Sequence, residues 1–154
     1  MFTNRLSLAF LLLAALAGCS PQNKLETTIV TGIVKVDGQP MEGIAVLFQP
    51  TVADANPAVG ATDNKGAFKL STPGGVAGKG TIPGSYIPTF SKDELEKREA
   101  ASVEEYQKKY GGSQPQTIHH LPTKYADVKT CGVAPVTVEQ GKKNHFEFEL
   151  SKTE

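Results

Sequence analysis

From Ile29 onward, apolar and polar residues alternate at a period of two, in short runs separated by turn-forming residues. In extended backbone that period puts alternate side chains on opposite faces, so each run predicts a strand with one buried face. Ile29 to Val36 is rich in β-branched residues, which suit a pleated surface and resist helix. Val34 and Val36 share one face and Lys35 takes the other. Asp37-Gly38 predicts a reversal, and Ile44, Val46 and Phe48 mark the next strand. A short strand is expected over Val59 to Thr62, followed by a turn at Asp63-Asn64-Lys65-Gly66. Phe68 and Leu70 then face inward, with Ala67 and Lys69 outward. Tyr86 and Phe90 share a face across Pro88, which lacks a ladder donor and predicts an edge, a bulge or something that covers that edge. Val136 to Val138 forms the penultimate strand after Pro135. The alternation is cleanest at the end, where Phe146, Phe148 and Leu150 point inward and His145, Glu147 and Glu149 outward. The inward face there is expected to be deeply buried, with Phe148 as the residue whose loss would break the domain. Hairpins of this kind cannot bury their apolar faces alone, so a second sheet is required.

Two stretches break the pattern. Ser71 to Gly84 is rich in glycine and proline and reads as loop. It lacks the Gly-Lys-Ser/Thr ending and the strand-to-helix context of a phosphate loop, which argues against nucleotide binding. Ser91 to Tyr110 reads SKDELEKREAASVEEYQKKY and predicts a surface helix. Ser91 and Glu94 suggest a capping box, Lys108-Lys109 suit the C-terminal end of the dipole, and Gly111-Gly112 stops the run. Its apolar stripe is thin, comprising Leu95, Val103, Tyr106 and Tyr110, so a charged loop is the competing reading. Ser113 to Leu121 is expected to be loop.

Several segments together resemble the carboxypeptidase regulatory-like, transthyretin-like β-sandwich family. They are Gly32-Ile33-Val34, Asp37-Gly38-Gln39-Pro40, Gly43-Ile44-Ala45-Val46, Thr62 to Phe68 and Pro83-Gly84-Ser85-Tyr86. The tail, with Leu121-Pro122-Thr123-Lys124-Tyr125, Thr130 and Gly141 to Leu150, is similar to small envelope lipoproteins of planctomycete-type bacteria built on that domain. The resemblance implies an all-β fold, a Greek-key β-sandwich of about seven strands, and no single activity. Ser91 to about His120 departs from the compact family pattern, which fits a short helix inserted at 91–110.

The N-terminus adds localisation. Asn4-Arg5 precedes an apolar run, Leu6 to Leu16, and then Leu16-Ala17-Gly18-Cys19. That is the processing pattern of a bacterial lipoprotein. Leu16, Ala17 and Gly18 would be read by the signal peptidase, and the thiol of Cys19 would take the lipid. The apolar run falls short of the ~20 residues that span a bilayer. An ordinary secretory leader with an incidental cysteine is the alternative. The expected organisation is a signal peptide at 1–18, a lipidated tether at 19–26 and one β-sandwich domain at 27–154. Two or three acyl chains of the palmitate type would hold the protein on a membrane, where a single chain is marginal. Ser20 rather than aspartate after Cys19 leans toward the outer membrane, as the family-type sorting rule implies.

Composition excludes more than it assigns. The 154 residues carry 16 basic and 16 acidic side chains, so there is no basic field for nucleic acid. With Cys19 consumed by lipid, Cys131 stands alone and reads as buried filler. His119-His120 and His145 match no metal motif, and adjacent imidazoles point apart in extended chain. Asp54, Asn56, Asp63 and Asn64 supply hard oxygens for calcium but in no ordered loop motif. Nothing marks a nucleophile elbow. Tyr125 is expected to pack, with its hydroxyl finding a partner at the rim. The sequence therefore predicts a non-catalytic envelope protein that needs no cofactor or metal. It would act as a structural or protein-interaction module, with glycan or small-ligand binding as the alternative.

Overall fold

The computed structural model describes residues 26–74 and 80–153. The predicted leader with Leu16, Ala17 and Gly18, the lipidation site Cys19 and nearly all of the 19–26 tether lie outside the described residues, as does the middle of the glycine-rich stretch. The described part is mostly β, with one short helix.

Strand β1 (Val30–Val36) is the axis of the first sheet. On one side it pairs in parallel with β10 (Asn144–Leu150); on the other it pairs antiparallel with β2 (Gln39–Pro40) and β5 (Ala67–Lys69). The turn from β1 to β2 uses Asp37 and Gly38, both at positive φ (51° and 75°), as a type I′ hairpin requires. Gly66 closes the turn before β5, with the Asp63 carboxylate accepting from Lys65 N–H (2.8 Å) and Ala67 N–H (2.9 Å). Gly32 is inward on β1, and a Cβ there would collide with the Phe68 ring and the Phe146 carbonyl, so the phenyl fills the space a side chain would take.

The second sheet runs β4 (Ala58–Ala61), β3 (Ala45–Pro50), β6 (Gly84–Ser91), β9 (Val136–Val138), all antiparallel. Pro88 is accommodated by register. Thr51 N–H donates to Ser85 O (3.0 Å), and hydrogen-bonded pairs alternate along an antiparallel ladder. Phe48 opposite Pro88 is therefore a non-hydrogen-bonded pair, and the missing donor faces the other edge. There β9 covers only Gly84 to Tyr86, and a 3-10 turn, Thr123–Ala126, packs beside the rest of β6. The expected cover over that edge is this turn.

The two sheets meet across one apolar layer. Val30, Val34, Ile44, Val46, Phe48 and Leu70 are fully buried there, beside Phe68, Tyr86 and Phe90. Phe48 joins the sheets: its ring centroid lies 6.4 Å from Phe68, 5.7 Å from Phe146 and 6.1 Å from Phe148 in the facing sheet, and 6.0 Å from Tyr86 beside it. The inward and outward residues of β1, β3 and β10 fall as their alternation predicts. One expectation needs correction. Phe146 and Phe148 face inward but are only half-buried, because β10 is the outermost strand of its sheet and leaves their flank open. Phe148 still touches four rings, those of Phe48, Phe68, Phe90 and Phe146, but Phe48 is the one of the two that is fully buried.

The insertion also differs from expectation. Ser91 ends β6, and Asp93–Leu95 forms β7, paired antiparallel with β8 (Thr117–His119) in a two-stranded ribbon. The helix α1 occupies only Val103–Tyr110. Its N-cap is Ser102, whose Oγ accepts from Glu105 N–H (3.2 Å), while Glu105 Oε2 accepts from Ala101 N–H (3.0 Å). Both Ser91 and Ser102 precede a glutamate by three residues. The first stays extended because its strand is already paired to Ala45 and because His120 N–H holds Lys92 O (2.8 Å). Leu95 consequently leaves the helical stripe. Gly111, in the left-handed conformation, ends α1 as expected.

Candidate functional site

The strand directions give the domain two poles. β1 and β10 start, and β3, β4's neighbour β5 and β9 end or turn, near the pole where Thr28 bridges Thr81 and Gln140 contacts Glu26 (3.0 Å). The described chain therefore enters at this pole. β6 starts there too and runs to the opposite pole, where the segment 93–119 leaves and returns. Seven residues of β1 separate the poles by roughly 20 Å.

The segment 93–119 is an arm with no apolar core of its own: no residue of α1 is buried, and Leu95 and Val103 are exposed. A single guanidinium organises it. Arg98 Nε and Nη2 donate to Glu96 Oε2 (3.0 and 2.9 Å), Nη2 also to Gln114 O (2.7 Å), and Nη1 to Ser113 O (2.5 Å) and Ser113 Oγ (3.3 Å). Its Cζ lies 4.7 Å from the centroid of the Tyr110 ring, whose centroid is 4.9 Å from that of Tyr106. The Arg98 side chain is 7% exposed. A guanidinium offers five donors in a fixed fork, so one side chain can tie both ends of a loop to a helix end. Glu96 also accepts from Gln116 N–H (3.3 Å). The hydrogen bonds from Arg98, then from Gln116, hold the Glu96 carboxyl below its usual range. Burial opposes the charge on Arg98, but the hydrogen bonds to Glu96 and Tyr106 outweigh it and keep the guanidinium above its usual range. Nothing in residue order marked Arg98, because its carbonyl partners lie about fifteen residues away.

The ribbon at the base of the arm carries two histidine–carboxylate pairs on opposite faces. His119 Nδ1 is 2.7 Å from Asp93 Oδ1, and His120 Nε2 is 3.3 Å from Glu94 Oε2 without hydrogen-bond geometry. His145 lies on β10 with Nδ1 3.1 Å from Thr31 Oγ1. The histidines are thus engaged locally and not gathered. The calcium candidates also separate: Asp54 and Asn56 precede β4, whereas Asp63 and Asn64 follow it, at opposite ends of that strand. Among the described residues no group of three or more His, Cys, Asp or Glu is positioned to hold a metal ion.

Cys131 is buried, with its thiol 3.7 Å from Val128 O. Tyr125, in the 3-10 turn, accepts from Ser151 N–H (3.0 Å) and so ties that turn to the chain beyond β10, the rim partner expected of it. A shallow depression of ≈ 290 Å³ lies on the outer face of the second sheet among Ala45, Leu47, Val59, Thr89, Ser91 and Ala126. Its lining carries no ionisable side chain, so it offers no acid or base to a bound molecule.

No family model matches the chain. No curated protein sequence matches it either. Among solved structures, a 9R-lipoxygenase from Cyanothece PCC8801 aligns at 11% identity and a TM-score of 0.36. The alignment covers 82% of this chain and 16% of the lipoxygenase, so the chain spans about a sixth of that protein.

Proposed function

We propose that the protein is a non-catalytic, lipid-anchored envelope protein whose β domain carries an interaction arm away from the membrane. In this reading Cys19 bears the acyl chains after cleavage behind Gly18, residues 20–26 are the tether, and the anchor lies in the outer membrane. The domain is a transthyretin-like Greek-key sandwich of the carboxypeptidase regulatory-like type. Two four-stranded sheets facing one core support that assignment, with the paired ends of β1 and β10 and the cross-sheet contacts of Phe48.

The observation that carries the proposal is the position and construction of the arm. It leaves the domain at the pole opposite residues 26–28 and contributes nothing to the core, yet Arg98 holds it in one shape. Ordering the 27 residues of 93–119, most of them exposed, costs conformational entropy, roughly 1–2 kcal/mol per residue for the backbone. A segment ordered at that cost outside the core fits a recognition element. The test is capture from envelope extracts by the full chain and by a version whose 96–114 segment is replaced by a short glycine-serine linker. A protein partner recovered by the first and lost by the second supports the proposal; equal recovery, or none, overturns it. Glycan binding is the second reading, favoured by the half-buried Tyr106 and Tyr110 rings on α1. Saturable binding on a glycan array that Tyr106→Ala abolishes would replace the first reading with it.

A further inference from the structure

Among the described residues, the outer edge of β10 is paired with no other strand. Leu150 O accepts from Asp37 N–H (2.9 Å), which fixes the phase of the parallel ladder. Asn144, Phe146, Phe148 and Leu150 therefore turn both backbone groups toward β1. His145, Glu147 and Glu149 turn theirs outward, and among the described residues none of these outward N–H and C=O groups has a partner. The edge is seven residues long, unbroken by proline or a bulge, and covered by no described element. Natural sheets rarely leave such an edge bare.

Side chains define what would fit. On the inner side Phe146 and Phe148 are half-buried, so apolar area stands open along this flank. On the outer side the edge presents Glu147, whose side chain is 70% exposed, and Glu149, one of whose oxygens accepts from Gly38 N–H (2.6 Å). A depression of ≈ 110 Å³ opens beside them, between Ile33 and Lys35. Opposite charges across a ladder stabilise and like charges destabilise. We propose that β10 takes up an extended segment of another protein in which apolar residues alternate with lysine or arginine. The apolar side chains would close over Phe146 and Phe148, and the basic ones would face Glu147 and Glu149. Backbone hydrogen bonds supply affinity in this mode and the alternating pockets supply specificity.

A second copy of the chain is the rival occupant. Antiparallel pairing of β10 with itself turns the two N-terminal poles in opposite directions, which disfavours it for two copies anchored in one membrane. That preference rests on the anchoring proposal; the unpaired edge of the described β10 does not. The test uses the full chain with a blocked seven-residue peptide alternating valine and lysine, compared with a valine–glutamate peptide and a valine–lysine peptide interrupted by a central proline. The lysine peptide is expected to bind about tenfold tighter than the glutamate peptide, and Glu147→Lys should reverse that order. Binding should slow hydrogen exchange at the amides of His145, Glu147 and Glu149, and the proline peptide should not protect them. Lack of saturable binding, binding indifferent to Glu147→Lys, or protection elsewhere overturns the proposal. So does a free protein that sediments as a dimer with those three amides already protected.

Discussion

Phe48→Ala removes a fully buried ring that touches aromatic side chains of both sheets. Phe48 is 0% exposed, and four rings lie with centroids 5.7 to 6.4 Å from its own. Truncation loses the transfer free energy of the phenyl and leaves a cavity walled by two sheets that hydrogen-bonded ladders prevent from collapsing. Buried Phe→Ala changes cost about 3–5 kcal/mol, and the rigid walls put this one at the upper end. Against a total of about 5–15 kcal/mol for a domain, that is a large fraction of the whole. The melting temperature should fall by about 10–20 °C. Phe148→Ala should cost less, by about 1 kcal/mol or more, because its ring is already half in water and gives up less burial. Urea denaturation followed by circular dichroism measures both, since the chain has no tryptophan to report by fluorescence. Equal slopes with separate midpoints would place the effect in native packing. The reasoning is refuted if Phe48→Ala melts within a few degrees of the parent, or if Phe148→Ala is the more damaging change.

Three further outcomes follow from the same geometry. Arg98→Lys keeps the charge but loses the fork, so limited proteolysis should cut within 96–116 at least about tenfold faster while the domain's melting temperature stays within ~2 °C; an unchanged cleavage rate would contradict the role given to Arg98. Gly32→Ala should destabilise by about 1–3 kcal/mol because its Cβ meets the Phe68 ring and the Phe146 carbonyl, and a neutral melting shift would mean that the ring does not sit there. Glu96 is held below its usual carboxyl range by Arg98 and Gln116, so its contribution is present above the ordinary carboxylate value and lost as pH falls through the lowered one. The protection factor of the Gln116 amide, its exchange corrected for the intrinsic pH dependence, should therefore fall in acid, and Glu96→Gln should remove that dependence.

Alternation made β1, β3, β5 and β10 legible, because each strand has one wet and one dry face and a slip of one residue would invert them. The turns at Asp37-Gly38 and Asp63 to Gly66 were legible for a local reason, the positive φ their geometry requires. Alternation names a face but not how well a neighbour covers it, so the half-exposure of Phe146 and Phe148 stayed hidden until β10 was found at the sheet's edge. The arm was the least legible part. A serine three residues before a glutamate occurs at both Ser91 and Ser102, and only the pairing of β6 with β3 decides that the first remains extended. β7 and β8 are short, exposed and paired across more than twenty residues, so neither carries an apolar signature. The hub at Arg98 depends on carbonyls brought back by that ribbon, and no spacing rule reaches so far.

An intact-mass measurement on protein extracted from membranes tests the anchoring proposal most directly. A chain that begins at Cys19 and carries the added mass of a diacylglyceryl group, with or without a third acyl chain, is the expected product. A mass equal to the unprocessed chain, or an unacylated form recovered from the soluble fraction, would contradict it and remove the physical reason for presenting the arm from a membrane.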